Sequence, residues 1–233
     1  MRKTILLIIL LAGLIAVAAP VEASLTFNYD TEYSGGSAPA SQTTPWLSAI
    51  FTDTGENKVT LTLTALSLTS TEFVSKWVFN LDPAFGGLIS PTSDPGYLTI
   101  TNTDGVVPKS ISIKENGENA GSGLDFDIQI EFYEANSKRF KMGSTSTFDI
   151  TFNPGVDDFD ASSFNFKTAA GDKAPDGLYS AAHIQGINNA YSGWVSGDPT
   201  SSLVPAMVPI PGAVWLLGSG LLGLLGFRRR QKK

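Results

Sequence analysis

The stretch Leu124–Tyr133, LDFDIQIEFY, decides the fold class. Leu124, Phe126, Ile128, Ile130 and Phe132 fall on one side of an extended chain, and Asp125, Asp127, Gln129 and Glu131 on the other. Successive side chains leave a β-strand on opposite faces, so this alternation marks a strand with one face buried. The charges at Asp125, Asp127 and Glu131 then read as its solvated side. A turn at EANSK (134–138) follows, and RFKMGSTSTFDITF (139–152) supplies a returning strand with Phe148, Ile150 and Phe152 inward.

The same period extends in both directions. Leu25, Phe27 and Tyr29 share a face in LTFNYD (25–30). WLSAIFT (46–52) and KVTLTLTALSLT (58–69) flank DTGEN (53–57), which reads as a hairpin turn. Val59, Leu61 and Leu63 oppose Thr60, Thr62 and Thr64, and the phase slips at Ala65–Leu66, where a bulge is expected. EFVSKWVFNLDP (72–83) places Phe73, Trp77, Phe79 and Leu81 together before Pro83 stops it. A late strand, GLYSAAHIQGI (177–187), precedes SGWVSGDP (192–199). No segment of the body keeps a helical period. Short strands separated by polar turns predict an all-β fold, an antiparallel β-sandwich of the jelly-roll or immunoglobulin-like kind. It is expected as one domain over 24–195, with SGGSAPASQTTP (34–45) a loop and 196–207 a flexible linker.

The two ends of the chain read differently. Arg2 and Lys3 precede an uncharged apolar run from Ile5 to Ala19, and VEA ends at Ala23 in a small-x-small pattern. This is the layout of a signal peptide over 1–23, cleaved by signal peptidase after passage through the secretion machinery. There is no cysteine, so stability must come from packing rather than disulfides. Between 24 and 227 the chain carries nine basic and 21 acidic residues. A body this acidic repels phosphate backbones and is not expected to take a nucleic-acid partner.

Residues 208–233 read VPIPGAVWLLGSGLLGLLGFRRRQKK. Pro209 and Pro211 keep a helix from starting earlier. From Pro211 to Phe227 every residue is apolar or small, and as a helix this run reaches about 25 Å, the lower limit for a transmembrane span. Arg228, Arg229 and Arg230 behind it are expected to stay cytoplasmic as a basic stop-transfer tail. The three parts, VPIP (Val208, Pro209, Ile210 and Pro211), the glycine-rich helix and the arginines, resemble the PEP-CTERM sorting signal of Gram-negative bacteria. Ile210 stands where the name motif has Glu, as in the related VPLPA-type variants. The resemblance implies processing by a membrane-embedded exosortase-type enzyme. The chain would pass through an inner-membrane intermediate to the cell surface or extracellular matrix, in the company of exopolysaccharide and biofilm. EFVSKWVFNLDP and AAHIQGI…SGW also look like parts of other exported domains joined to this signal, for which no activity is implied.

The body offers little chemistry. His183 is the only histidine, no G-x-S-x-G turn exposes a serine, and no phosphate-cradling glycine loop occurs. His183 is therefore expected as a hydrogen-bonded strand residue. VDDFDASS (156–163) carries Asp157, Asp158 and Asp160, oxygen ligands suited to calcium, though without EF-hand spacing. Calcium is thus the one cofactor for which ligands are offered. Trp194, in SGWVSG, is the candidate exposed ring for stacking on a sugar. The leading expectation is a non-enzymatic exported surface or matrix protein. A carbohydrate-binding β-sandwich module is the first alternative, and a secreted hydrolase using two carboxylates the second.

Overall fold

The alternating stretches become eleven strands in a computed structural model that describes residues 23–89, 97–121, 123–153 and 158–200. They are β1 (Ser24–Glu32), β2 (Leu47–Gly55), β3 (Lys58–Ala65), β4 (Phe73–Phe79), β5 (Leu98–Gly105), β6 (Ser110–Asn119), β7 (Asp125–Glu131), β8 (Phe140–Lys141), β9 (Thr145–Phe152), β10 (Ser180–Ile187) and β11 (Tyr191–Thr200). Helix is confined to short turns, among them Gly86–Ile89 and the 3-10 turn Ala161–Phe164. No helix among the described residues is long and apolar enough to cross a membrane.

Every pairing is antiparallel. The strands join in one sheet in the order β5-β9-β3-β2-β1-β11-β10-β4-β7-β6, with β8 on β4. The margins, β5 and β6, are neighbours in sequence, joined through residues 106–109. So short a link spans under about 20 Å, and it draws the margins together into a nearly closed, barrel-like sheet. The curl brings distant strands into contact across the core. Phe51 of β2 meets Phe79 of β4 edge-on at 5.2 Å, Tyr29 of β1 meets Trp77 of β4 at 5.0 Å, and Phe164 stacks on Phe51 at 4.1 Å. Each such fully buried aromatic contributes about 1.5–3 kcal/mol of transfer free energy. The core belongs to the compact unit Glu22–Leu203.

Antiparallel pairing sorts the strand ends between two poles. One pole carries the β2–β3 turn, where Gly55 pairs with Lys58, together with the start of β1 and the end of β11. The opposite pole carries the β5–β6 link and the segment between β7 and β9. There Lys109 N donates to Glu131 O, Val106 N to Thr145 O, and Ala65 N to Ser144 O. The DTGEN hairpin forms as expected, with Asn57 at φ 53° completing its turn.

Several local expectations change. β7 does not keep one apolar face: Ile128, Ile130 and Phe132 enter the main core, whereas Leu124 and Phe126 join a second cluster with Val78 and Ala181 on the outer side of the sheet. Between the pairs Ile113↔Ile128 and Glu118↔Phe126, β6 runs through four residues and β7 through one. That bulge turns Asp127 inward to 7% exposure, where it accepts hydrogen bonds from Asn116 N and Leu81 N, both 2.8 Å. Burial outweighs those two N–H donors and holds the Asp127 carboxyl above its usual range. Asp125 stays exposed, as expected of the polar side. The strand after EANSK does not return beside β7, whose flanks are taken by β4 and β6; β9 pairs instead with β3 and β5. At Ala65–Leu66 β3 ends rather than bulges. β11 continues through Thr200, so residues 196–200, expected as linker, pair with β1.

Candidate functional sites

His183 lies on β10, opposite an irregularity in β4. Its partner is Lys76, while Ile184 pairs with Val74, leaving Ser75 as the extra residue of a bulge. The bulge points the Ser75 hydroxyl at the histidine, with Oγ and Nδ1 2.9 Å apart. The ring stacks on Trp194 at 4.8 Å and 29°. Burial first, and then the Lys76 ammonium, hold the imidazole below its usual pKa, while Glu134 pulls the other way. The serine is 2% exposed. The serine side of this contact is buried, and the histidine is a hydrogen-bonded strand residue.

Trp194 sits in β11 rather than in a loop, because its backbone pairs with His183 on one side and is tied to the 33–34 segment on the other. Tyr33 N donates to Trp194 O at 3.1 Å and Trp194 N to Ser34 Oγ at 3.2 Å. One face of the indole is covered by His183, and its edge lies against Gly121, where a Cβ would stand 3.4 Å from Nε1. Trp46 is buried with its Nε1 donating to Ser41 O at 3.0 Å, and Trp77 is fully buried. Trp46 and Trp77 are buried and Trp194 is half-buried, so these three rings form no exposed row.

The acidic loop opens onto a cavity of about 590 Å³ at the pole of the β2–β3 turn, lined by Asp53, Glu56, Asn57, Asp158, Phe159 and Asp160. Asp160 caps the turn Ala161–Phe164, accepting from Ser162 N at 2.8 Å and Ser162 Oγ at 2.6 Å. Asp53 Oδ1 accepts from Ala161 N at 2.6 Å. Asp158 is exposed, with φ 69°, and Asp157 lies outside the described residues. Among the described residues no three ligand side chains are grouped to hold a metal ion. Asp53 and Glu56 were not legible as members of this cluster, since DTGEN carries the signal of a turn and nothing more.

A second groove, about 420 Å³, opens at the opposite pole between Val106, Val107, Tyr133, Ser137, Lys138 and Arg139. Lys138 Nζ lies 4.7 Å over the Tyr133 ring. The Arg139 guanidinium lies 3.9 Å over Phe73, with Nε donating to Glu134 O at 2.7 Å. Beside it Lys109 pairs with Glu131 at 2.8 Å, a contact that lowers the Glu131 pKa and raises that of Lys109. Lys138, Arg139 and Lys141 form no ion pair among the described residues, where the pairs are Lys58–Asp149 and Lys109–Glu131. Sequence reading passed over this groove because its cations sit in a segment that reads as turn and strand.

The signal peptide, the motif Val208–Pro211, the apolar run and Arg228–Arg230 lie outside the described residues. Comparison with family models, with curated proteins and with solved structures finds no significant match.

Proposed function

We propose that this chain is an exported, non-enzymatic surface or extracellular-matrix protein, delivered through a PEP-CTERM-like C-terminal signal and associated with exopolysaccharide. The observation that carries the reading is the order of parts along the chain: a basic-then-apolar start, an acidic β body without cysteine, and then VPIP, an apolar glycine-rich run and three arginines. An exosortase-type enzyme acts on the motif while the apolar run is held in the inner membrane, and the body is released to the surface or matrix. The curl that packs β1 and β2 against β4 is read as a sandwich whose two layers stay hydrogen-bonded along β1–β11. The non-enzymatic reading is supported by the burial of Ser75 behind His183. The carbohydrate-module alternative is weakened by the occupied faces of Trp46, Trp77 and Trp194.

The test is the C-terminal mass of protein released from a host carrying the sorting enzyme. Wild type is expected to appear outside without its last two dozen or so residues, a length set by the motif's position and the span behind it. Replacing Pro209 and Pro211 with Ala lets helix extend into the motif, since proline disfavours helix in the residue before it. That variant is expected to accumulate in the inner membrane at unprocessed length. Released protein that retains Phe227 and Arg228–Arg230 would reduce the tail to a plain anchor.

A further inference from the structure

The pole farthest from the start of β1 and the end of β11 is unusual for so acidic a body. Leu66, Val107 and Met142 are exposed there at 46%, 65% and 59%. They sit next to the ends of β3, β5 and β9, three adjacent strands of the sheet. Lys138, Arg139 and Lys141 surround the same region without an ion pair among the described residues; of the carboxylates at this pole, Glu131 pairs with Lys109, Glu134 accepts from Gln185, and Asp104 is exposed at the end of β5. An apolar patch rimmed by cations that form no ion pair is the composition of a docking face. The groove of Val106, Val107 and Tyr133 gives it relief.

At the other pole, about 25 Å away along the eight residues of β3, carboxylates prevail. Glu56 and Asp158 are exposed beside Asp53 and Asp160, on and around a hairpin turn. We infer that the cationic, apolar pole of one molecule docks the acidic pole of a second copy, so that the chain stacks head to tail. The occupant is a second copy because the complementary surface, with its charge on an exposed turn, is present on every molecule. The contact joins two different patches, so it is heterologous and leaves a free pole at each end, which builds open stacks rather than closed dimers. The net negative charge of each body opposes approach at long range. At about 0.15 M salt the Debye length of about 8 Å screens that repulsion more than it screens charges in contact. At about 1 M salt, where it is about 3 Å, the contacts themselves weaken.

The test is sedimentation velocity on residues 22–203, the unit that holds its own core. Wild type is expected to shift to larger species with rising concentration at about 0.15 M salt and to lose much of that shift at about 1 M. Lys138→Glu with Lys141→Glu, and separately Glu56→Lys with Asp158→Asn, each leave a monomer that melts like wild type, since all four side chains are exposed and Asn keeps the left-handed backbone of position 158. An equal mixture of the two variants recovers the larger species, because each supplies a pole that fits the other. Wild type that stays monomeric at every concentration overturns the inference, as does assembly indifferent to both pairs or a mixture that stays monomeric. Monomeric wild type that retains polygalacturonate through Lys138 and Lys141 would assign the pole to an anionic polymer instead of a second copy.

Discussion

Asp127 offers the sharpest test of the packing, because two forces on it oppose each other. Its carboxylate is almost closed from water and accepts Leu81 N and Asn116 N at 2.8 Å each. It therefore pins the end of β4 to the bulge of β6. In Asp127→Ala both donors lose their acceptor. Leu81 is 2% exposed, and loss of the acceptor of its buried N–H costs about 1–3 kcal/mol; Asn116 is exposed, and its N–H can turn to solvent for about 0.5–1.5 kcal/mol. Relief of the buried charge offsets part of this, leaving a net cost of about 1–3 kcal/mol at neutral pH. Asp127→Asn is expected to recover no more than half of that, because its amide nitrogen faces one of the two N–H groups. The pH dependence separates the forces. Burial raises the folded pKa above the ordinary 3.8, so the folded state binds the proton more tightly than the unfolded chain. The group's contribution is therefore largest below 3.8 and declines as pH rises through the folded value. Urea unfolding of wild type and Asp127→Ala at a series of pH values measures the difference directly. A cost that shrinks as pH falls through this window would show that the hydrogen bonds outweigh burial. A cost below about 0.5 kcal/mol at neutral pH would remove the pinning role altogether.

Ile128→Ala empties a fully buried core site and is expected to lower unfolding free energy by about 2–5 kcal/mol in the same assay; a loss under about 1 kcal/mol would mean the site is not packed. Gly186 has φ 76°, and an added Cβ would stand 2.1 Å from Thr71 O, so Gly186→Ala is expected to cost more than about 2 kcal/mol by thermal melting, and a neutral result would contradict that backbone. His183 is the single histidine, so its NMR titration is unambiguous: a midpoint below 6.5 is expected, with its stabilising effect lost as pH falls through the unfolded value, and a midpoint above 6.5 would refute the burial argument. With Asp160 and Asp53 already bonded to Ser162 and Ala161, millimolar Ca²⁺ is expected to leave the melting temperature unchanged; a rise abolished by Asp158→Asn would show that the acidic loop binds the ion.

Alternation along the chain was enough to indicate an antiparallel β protein and to place several of the aromatics that fill it, though not Phe51, Phe140, Phe159 or Phe164. Period two is a property of single strands, so Phe27, Leu61, Phe79, Ile130 and Phe148 could be assigned to the core before any neighbour was known. The composition also limits what histidine and cysteine chemistry can be built, since there is one histidine and no cysteine. The signal peptide and sorting signal proposed for the two ends rest on local composition alone. What the strands do to one another was not legible. Pairing partners depend on the path of the whole sheet, so β9 lies beside β3 and β5 although sequence order placed it after β7. A bulge shifts one strand relative to its neighbour, and only the neighbour reveals it; thus Asp127 looked solvated, Ser75 looked ordinary, and Phe126 looked like a companion of Ile128. Trp194 was read as a candidate exposed ring or a cap because small residues flank it; ladder pairing with β10 and bonds to Tyr33 and Ser34 hold it in a strand against His183. The two charged poles are likewise a consequence of antiparallel folding. Glu56 is remote in sequence from Asp158, and Val107 from Lys138, and only the return of each strand to the same end gathers them.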